Sequence, residues 1–311
     1  MNQESDRKVF CIGETVLDII FLEDKPVAAK PGGSLMNAAV SLARAGIKAH
    51  LISEIFKDDP GRMILQFLIE NGVSTDFLIQ YDTGNTPVAL AFLDEAAEAN
   101  YIFYKFFPEE RMNQELPIPN EHDVVLFGSF YSITSEIRKK LKHFLLNARN
   151  NEALIIYDPN FRRSHLKDLP RILPMIMENI SFSDIVRGSH EDFLHIFATH
   201  NPNKAFFEIQ RCGCNNLVYT RNDHDVTIIT GNHRFSLPVP IIKPISTIGA
   251  GDSFNAGLIY GLLKENLERQ NIPQLDGGQW RTLINDGILF SQEVCLSLDN
   301  YISKNFVQLR K

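Results

Sequence analysis

The sequence lacks the features that mark secreted and membrane-spanning proteins. Its 311 residues include four cysteines, and only Cys212 and Cys214 lie near each other. That pair has no second pair or histidine set at zinc spacing, so we expect buried free thiols, which fit a reducing cytoplasm. The polar N-terminus has no signal-peptide core, and no apolar run is long enough to span a bilayer.

The charge pattern argues against two classes of partner. The net charge is −7 at pH 7, and no block of like charge stands out. Nucleic acids and anionic membranes are therefore not expected as partners. The hydrophobic fraction of 44% and the charged fraction of 22% are ordinary for a globular protein with a large core.

Several familiar catalytic fingerprints are also absent. No Gly-x-x-x-x-Gly-Lys-Ser/Thr and no His-Glu-x-x-His or other metal-ligand cluster occurs. Gly249 and Gly251 begin like a dinucleotide fingerprint, but Phe254 stands where that fingerprint needs glycine. The sequence thus supports neither a P-loop enzyme nor a typical dehydrogenase.

Short apolar runs alternate with helical segments along most of the chain. This alternation predicts an α/β fold with a mostly parallel central sheet and helices on both faces. Polar residues repeatedly follow the apolar runs, and ligands of open α/β sheets bind at the carboxyl ends of strands. The runs that predict these strands are Val9–Ile12, His50–Ser53, Val124–Phe127, Leu154–Tyr157, Ile185–Arg187 and Asn216–Thr220.

Two β segments interrupt this alternation. Pro87–Leu93 and Tyr101–Lys105 predict a hairpin, with Asp94–Asn100 as its loop. We expect Val16–Phe21 to pair with this hairpin.

We treat residues 1–311 as one domain, with a small β-sheet lid formed by about 15–31 and 86–106 inserted in it. The lid's aromatic side chains would face substrate or a dimer partner. A second hairpin is predicted at Val226–Thr230 and His233–Leu237.

The stretch Thr247–Gly257 reads as a small-residue loop that opens into a helix. The first amides of a helix lack internal acceptors and bind anions, phosphate above all. Asp252 in this position has two interpretations. It is either the helix N-cap or a general base beside an anion hole that holds a phosphoryl group.

A second group of candidate residues lies near the start of the chain. Asp18 stands inside an otherwise apolar segment, either facing solvent or accepting hydrogen bonds from a polyol. Gly32 and Gly33 form a turn that lets the backbone approach a ligand. Ser34 is predicted to cap the next helix, and Asn37, one turn later, can donate to and accept from a hydroxyl.

Two motifs together resemble the signatures of the ribokinase (PfkB) family of carbohydrate kinases. They are Pro31-Gly32-Gly33 followed by Asn37-Ala38-Ala39, and Thr247-Ile248-Gly249-Ala250-Gly251-Asp252-Ser253-Phe254. The resemblance covers Val9 to about Cys295. Asp158-Pro159-Asn160-Phe161-Arg162 and Tyr101-x-Phe103-Tyr104 look most like the fructokinase and 2-keto-3-deoxygluconate kinase branch.

The resemblance implies a ribokinase-like α/β/α fold and transfer of the ATP γ-phosphoryl group to a sugar hydroxyl. It favours Asp252 as the general base, with the amides of Gly249, Ala250, Gly251 and Asp252 as the anion hole. The sugar-binding residues it implies are Asp18, Gly32, Gly33, Asn37, Tyr104, Arg162 and Asp252. The nucleotide-side residues it implies are Thr220, Gly249, Gly251 and Asn285.

The same resemblance implies Mg²⁺ as cofactor and a homodimer formed through the lid. Fructose is the expected substrate, with 2-keto-3-deoxygluconate, ribose or a nucleoside as alternatives. A catalytically silent sugar-binding regulator would have lost the base or the glycines, and both are present. Arg162 would grip a phosphate or an acidic substrate group, unless it is an ordinary surface arginine.

Three positions depart from the family pattern. Ser246 replaces an aspartate that helps hold a monovalent cation, which puts activation by K⁺ in doubt. The family's Asn-x-x-Glu, which organises Mg²⁺ through water, appears as Ser189-His190-Glu191-Asp192, so Asp192 or Glu191 would serve. Lys105 stands where arginine is usual and grips a carboxylate less well, which favours a neutral sugar.

Overall fold

Two separate β-sheets organise the chain. A computed structural model describes residues 7–93, 99–222 and 224–308. The strands are β1 (Val9–Ile12), β2 (Val16–Leu22), β3 (Lys25–Gly32), β4 (Ala49–Phe56), β5 (Leu78–Tyr81), β6 (Asn85–Leu93), β7 (Ala99–Phe106), β8 (Val124–Gly128), β9 (Leu154–Asp158), β10 (Ile185–Ser189), β11 (Asn216–Arg221), β12 (Asp225–Thr230) and β13 (Arg234–Pro238). The α-helices are α1 (Ser34–Arg44), α2 (Asp59–Glu70), α3 (Ser135–Asn150), α4 (Leu169–Phe182), α5 (His190–Phe197), α6 (Pro202–Arg211), α7 (Ala250–Lys264) and α8 (Gly277–Cys295).

The larger sheet confirms the predicted α/β architecture. Within the described ranges it has nine strands in the order β13-β12-β11-β10-β9-β8-β1-β4-β5. The pairs from β5 to β11 are parallel, and β12 and β13 add an antiparallel hairpin at one edge. This hairpin is the one predicted from the sequence. Because the carboxyl ends of parallel strands meet at one edge, the polar residues that follow them are brought together.

Helices cover both faces of the larger sheet. Successive strand side chains point to opposite faces, so Val9 and Cys11 of β1 join one apolar cluster and Phe10 and Ile12 join another. Residues of α1, α7 and α8 fill the first cluster, and residues of α3, α4 and α6 fill the second. The result is the predicted three-layer arrangement.

The smaller sheet has the strand order β3-β2-β6-β7 in the part of the chain that is described. The predicted hairpin of β6 and β7 is confirmed, and β2 pairs with β6 as expected; the two strands are parallel. Strand β3, which was not predicted, pairs antiparallel with β2. Of the predicted hairpin loop, Ala99 and Asn100 already belong to β7, and residues 94–98 lie outside the described ranges.

A buried glutamate fixes the segment that leads from the smaller sheet back to the core. Glu54 of β4 accepts hydrogen bonds from Tyr81 Oη (2.5 Å), Tyr131 Oη (2.8 Å) and the Met112 amide (2.9 Å). Arg111 forms a buried ion pair with the same carboxylate, with Nη2 at 2.6 Å from Oε2. A buried charge is tolerated when it is paired and hydrogen-bonded, and this one ties residues after β7 to the sheet.

The helix at α5 corrects a prediction. The sequence predicted a polar turn over Gly188–Asp192, but α5 begins at His190. Ser189 and Asp192 form a capping box there, in which each side chain bonds the other residue's backbone amide. The described residues include all four cysteines, each a free thiol. No helix in the described ranges is long and apolar enough to cross a membrane.

Helices α7 and α8 pack closely enough to require glycine. A Cβ atom on Gly257 would overlap the carbonyl oxygen of Asp286, a backbone atom that cannot swing away. We expect Gly257→Ala to lower the free energy of unfolding by roughly 1–3 kcal/mol, the usual effect of overpacking. Denaturant unfolding measures it. Gly231→Ala is the control, because its added Cβ meets no atom within 4 Å, and an equal loss in both variants would contradict the packing argument.

Candidate active site

Asp252 lies in the first turn of α7 and does not cap it. The N-cap is Gly249, in the left-handed conformation with φ 80°, so the N-cap interpretation of Asp252 is wrong. A Cβ atom at Gly249 would overlap the Asn300 carbonyl oxygen. Both its conformation and its close neighbour therefore require glycine at the start of α7.

The amino end of α7 offers backbone donors beside the Asp252 carboxylate. The Ser253 amide donates to the Gly249 carbonyl oxygen at 2.9 Å, which begins the helical bonding. The Ala250 amide turns back to the Thr247 carbonyl oxygen at 3.3 Å. The amides of Gly251 and Asp252 precede the first helical bond and carry the positive end of the helix dipole, so they are donors suited to an anion.

The Asp252 carboxylate is held by two side chains of α1. Ser34 Oγ donates to Oδ1 at 2.7 Å, and Asn37 Nδ2 donates to Oδ2 at 2.9 Å. The structure thus brings a predicted sugar-binding residue against the predicted base. Ser34 does not cap α1 as expected; Gly33 is the N-cap, and the Ser34 hydroxyl is used on Asp252.

The two predicted glycines lie where the smaller sheet meets the core. Gly33 has φ 130°, and a Cβ there would overlap the Glu14 carbonyl oxygen. A Cβ on Gly32 would overlap Asp18 Oδ2. Asp18 therefore packs its carboxylate over the bare backbone of Gly32, next to the start of α1.

The carboxyl groups at this junction have raised pKa values. Burial raises the pKa of Asp252, opposed by hydrogen bonds from Asn37 and Ser34; nearby Asp158 raises it further and Arg162 lowers it. Burial also raises the pKa of Asp18 to about 7. The pKa of each carboxyl group is therefore closer to neutral pH, which is where a general base works best.

Two predicted side chains present unused polar groups. Asn37 Oδ1 is buried and has no hydrogen-bond partner in the described ranges, although buried acceptors are normally paired. Arg162 is exposed, and its charge reaches Asp252. A ligand that donates to Asn37 and carries negative charge near Arg162 would satisfy both.

The predicted residues on β7 lie at the edge of this junction. Tyr104 is 59% exposed and faces away from the core. Lys105 Nζ forms an ion pair with Glu14 Oε2 at 2.5 Å. The lysine charge is therefore already balanced by a core carboxylate, and it links the smaller sheet to the loop between β1 and β2.

The two predicted nucleotide-side side chains differ in exposure and in hydrogen bonding. Thr220 Oγ1 accepts a hydrogen bond from Arg187 Nη2 at 3.0 Å and lies 3.4 Å from the Gly188 carbonyl oxygen, so its hydroxyl is engaged within the protein. Asn285 is exposed on α8. Ser246 Oγ accepts from the Ile248 amide at 3.2 Å.

The predicted magnesium residues do not form a metal site by themselves. Asp192 Oδ1 accepts from the Phe161 amide at 2.5 Å, and Oδ2 accepts from the Ser189 amide and hydroxyl at 2.6 and 2.7 Å. With both oxygens engaged, Asp192 fits contact with Mg²⁺ through water better than direct ligation, and Glu191 is exposed beside it. No cluster of three or more His, Cys, Asp or Glu residues that could hold a metal ion occurs in the described ranges.

Sequence reasoning missed two polar partners of this site. Ser34 is one, because its contact with Asp252 spans 218 positions in the chain. Arg187 is the other: it is 8% exposed and ion-paired with Asp158. The available signal was a charged residue at the end of the apolar run Ile185–Val186, since a buried charge needs a partner.

A carboxylate of raised pKa beside the open amides of a helix start is suited to activate a hydroxyl next to a phosphoryl group. Such a site is suited to a phosphotransferase that acts on a sugar hydroxyl. The model of the pfkB family carbohydrate kinases matches residues 6–296. The chain belongs to this family, as its two motifs predicted.

Named relatives lie within the same family. A fructokinase of Vibrio alginolyticus is 24% identical over 276 residues, which cover 88% of this chain and 90% of that protein. An aminoimidazole riboside kinase of Salmonella typhimurium is 23% identical over 262 residues, 83% of this chain and 82% of that protein.

The fold is also that of a solved kinase. The crystal structure of aminoimidazole riboside kinase from Salmonella enterica, complexed with aminoimidazole riboside and an ATP analogue, matches with a TM-score of 0.85 at 20% identity. The match covers 97% of this chain and 98% of that chain. This likeness shows a ribokinase-like fold, as predicted.

The raised pKa of Asp18 predicts a pH-dependent effect on stability. Its folded-state pKa is about 7 against an ordinary 3.8, so ionising it opposes folding increasingly as pH rises between those values. We expect Asp18→Asn to gain free energy of unfolding relative to wild type across that window, by at most about 1.4 kcal/mol per pH unit. Urea unfolding across the window measures this difference, and a difference that is constant with pH would contradict the prediction.

Proposed function

We propose that this chain transfers the γ-phosphoryl group of ATP to a hydroxyl of fructose. The observation that supports it most is the Asp252 carboxylate, held by Ser34 and Asn37 beside the first amides of α7. In this proposal the carboxylate is a base that lies next to an anion-binding turn. Membership of a carbohydrate kinase family supplies the reaction class.

In the proposed reaction, Asp252 orients a sugar hydroxyl and takes its proton. The hydroxyl oxygen forms a bond to the γ-phosphorus while the bond from that phosphorus to the β-γ bridging oxygen breaks, so ADP leaves. The raised pKa of Asp252 favours proton acceptance near neutral pH. Negative charge on the transferred group is stabilised by the amides of Gly249, Gly251 and Asp252, and that of Ala250 contributes less because it already bonds Thr247.

Sugar recognition is assigned to polar groups at the junction of the two sheets. Asp18 accepts hydrogen bonds from hydroxyls, Asn37 Oδ1 accepts another, and Gly32 and Gly33 let the sugar approach the backbone. The smaller sheet, which carries Tyr104, would act as a lid over the sugar.

The cofactor proposals are ATP with Mg²⁺. Mg²⁺, when bound to the nucleotide, would neutralise phosphate charge, and it needs few protein ligands because it keeps several waters. Asp192 and Glu191 would contact it through water, and Thr220 and Asn285 would lie on the nucleotide side. Ser246 supplies no carboxylate, which argues against a requirement for K⁺.

Fructose is preferred over an acidic sugar on charge grounds. Lys105, the cation on β7, is already paired with Glu14, so it offers no unbalanced charge to a substrate carboxylate. The relatives named fructokinase agree with a neutral sugar. A riboside is the second candidate, because a named riboside kinase is among the relatives and among the similar folds.

We also propose a cytoplasmic homodimer formed through the smaller sheet. Its strand β7 exposes Ile102, Tyr104 and Phe106, which alternate along the strand onto one face and form an apolar surface suited to a second copy. Free thiols agree with a reducing compartment.

Loss of the base should slow turnover strongly without unfolding the protein. We expect Asp252→Asn to lower kcat by roughly two to four orders of magnitude, the scale of general-base catalysis. Asp59→Asn is the matched control, because Asp59 is also an acid in the first turn of a helix but is exposed on α2. Near-wild-type turnover of Asp252→Asn would refute this mechanism.

The substrate proposal is tested by ADP release from ATP across a panel of acceptors. We expect fructose to give the highest kcat/KM, ahead of ribose, 2-keto-3-deoxygluconate and nucleosides, with dependence on Mg²⁺ and none on K⁺. A higher kcat/KM for a riboside would establish the second candidate. Sugar binding without turnover on any acceptor would instead identify a silent regulator.

A further inference from the structure

A buried arginine lies behind the anion-binding turn. Arg187 of β10 is 8% exposed, and its Nη1 forms an ion pair with Asp158 Oδ2 at 2.9 Å. Its Nη2 donates to Thr220 Oγ1 at 3.0 Å. Asp158, Arg187 and Thr220 stand at or near the carboxyl ends of the adjacent strands β9, β10 and β11, so the guanidinium links three strands at the edge that carries the site.

The same network reaches α7. Asp158 Oδ2 also accepts a hydrogen bond from Asn255 Nδ2 at 2.5 Å. Asn255 is four residues after Gly251 and therefore lies on the same face of the helix. One carboxylate oxygen thus joins the sheet arginine to the beginning of α7.

The guanidinium also lies directly against the anion-binding backbone. A Cβ atom placed on Gly251 would be 2.9 Å from Arg187 Nη1 and 3.2 Å from Nη2. Phe254 stacks nearby, with its ring centre 5.3 Å from the guanidinium carbon. The absence of a side chain at Gly251 therefore leaves the space that the Arg187 guanidinium occupies. The guanidinium in turn sets the distance between the start of α7 and the sheet.

We propose that Arg187 is a positioning residue for phosphoryl transfer, which holds the Gly251–Asp252 turn against the sheet and balances the Asp158 charge near Asp252. This inference rests on the proposed kinase function. Arg187 acts through the backbone of α7 and through Asp158. Small displacements of groups around a reacting centre lower rates strongly, by about a hundredfold for roughly 1 Å.

The charges around Asp252 predict that loss of Arg187 changes the pKa of Asp252. Asp158 raises the pKa of Asp252, and Arg162 lowers it. Arg187 balances Asp158, and Asp192 of α5 is the other carboxylate whose pKa Asp158 raises. Removing the guanidinium charge leaves Asp158 unbalanced, so the Asp252 pKa should rise further, a change that loss of packing alone would not produce.

Two substitutions separate shape from charge. Arg187→Met removes the charge and the fork of donors, and Arg187→Lys keeps a charge but loses the fork. We expect Arg187→Met to lower kcat by about tenfold to a hundredfold, with the sugar KM within about twofold of wild type. The acidic limb of its kcat/KM profile should move to higher pH, whereas Arg187→Lys should lower kcat less and leave the limb in place.

The matched controls are Arg269→Met and Arg269→Lys. Arg269 pairs with Asp184 at 2.9 Å, and Asp184 precedes β10 and bonds the Ile155 amide of β9, so this pair sits at the opposite ends of the same strands. Gly251→Ala tests the contact from the helix side and should lower kcat as well, since the added Cβ meets the guanidinium. Folding of each variant is checked by thermal unfolding.

The outcomes separate this inference from the proposed function. A wild-type enzyme that phosphorylates no acceptor contradicts the function and, with it, the role of Arg187. A wild-type enzyme that turns over, with Arg187 variants that match the Arg269 variants in kcat and pH profile, overturns the inference alone. A lowered kcat with a shifted acidic limb confined to Arg187→Met supports it.

Discussion

The clamp of Asp252 by Ser34 and Asn37 is the interaction on which the rest of the site depends. It joins residues 218 and 215 positions apart in the chain, which meet because α1 and α7 pack side by side on one face of the larger sheet. The clamp holds the carboxylate half-buried at the start of α7. Burial raises its pKa, and the same turn presents amides for an anion. The proposed base and the proposed anion site are therefore one structural unit.

Glycine allows this unit to form. Gly249 and Gly33 both adopt positive φ, and both lie against a carbonyl oxygen. A residue with a Cβ atom would overlap that oxygen, so each helix begins at a position that requires glycine. The missing side chain of Gly32 leaves room for the carboxylate of Asp18, and that of Gly251 leaves room for the guanidinium of Arg187. Chain segments from the two ends of the sequence meet at the site because backbone, rather than side chain, forms its walls.

The sequence predicted the parallel sheet and both hairpins, because periodic patterns are local signals. Only the resemblance of two motifs implied that Asn37 and Asp252 serve the same sugar site. Strand β3 escaped prediction because its segment contains two prolines and is largely exposed, so no apolar alternation marks it. Helix α5 escaped because its polar first turn imitates a loop. The placement of Arg187 and the Ser34 contact depend on long-range packing, which no single segment of the sequence reveals. The roles of the predicted site residues, Asp252 included, stay predictions.

The most direct test of the central claim is a crystal structure of Asp252→Asn with sugar and ATP bound. We expect one sugar hydroxyl oxygen within about 2.6–3.2 Å of the residue 252 side chain, the range required of a general base. The γ-phosphorus should lie on the far side of that oxygen, facing the amides of Gly251 and residue 252. A sugar bound elsewhere, or a γ-phosphate remote from the start of α7, would contradict the assignment of Asp252 as the base.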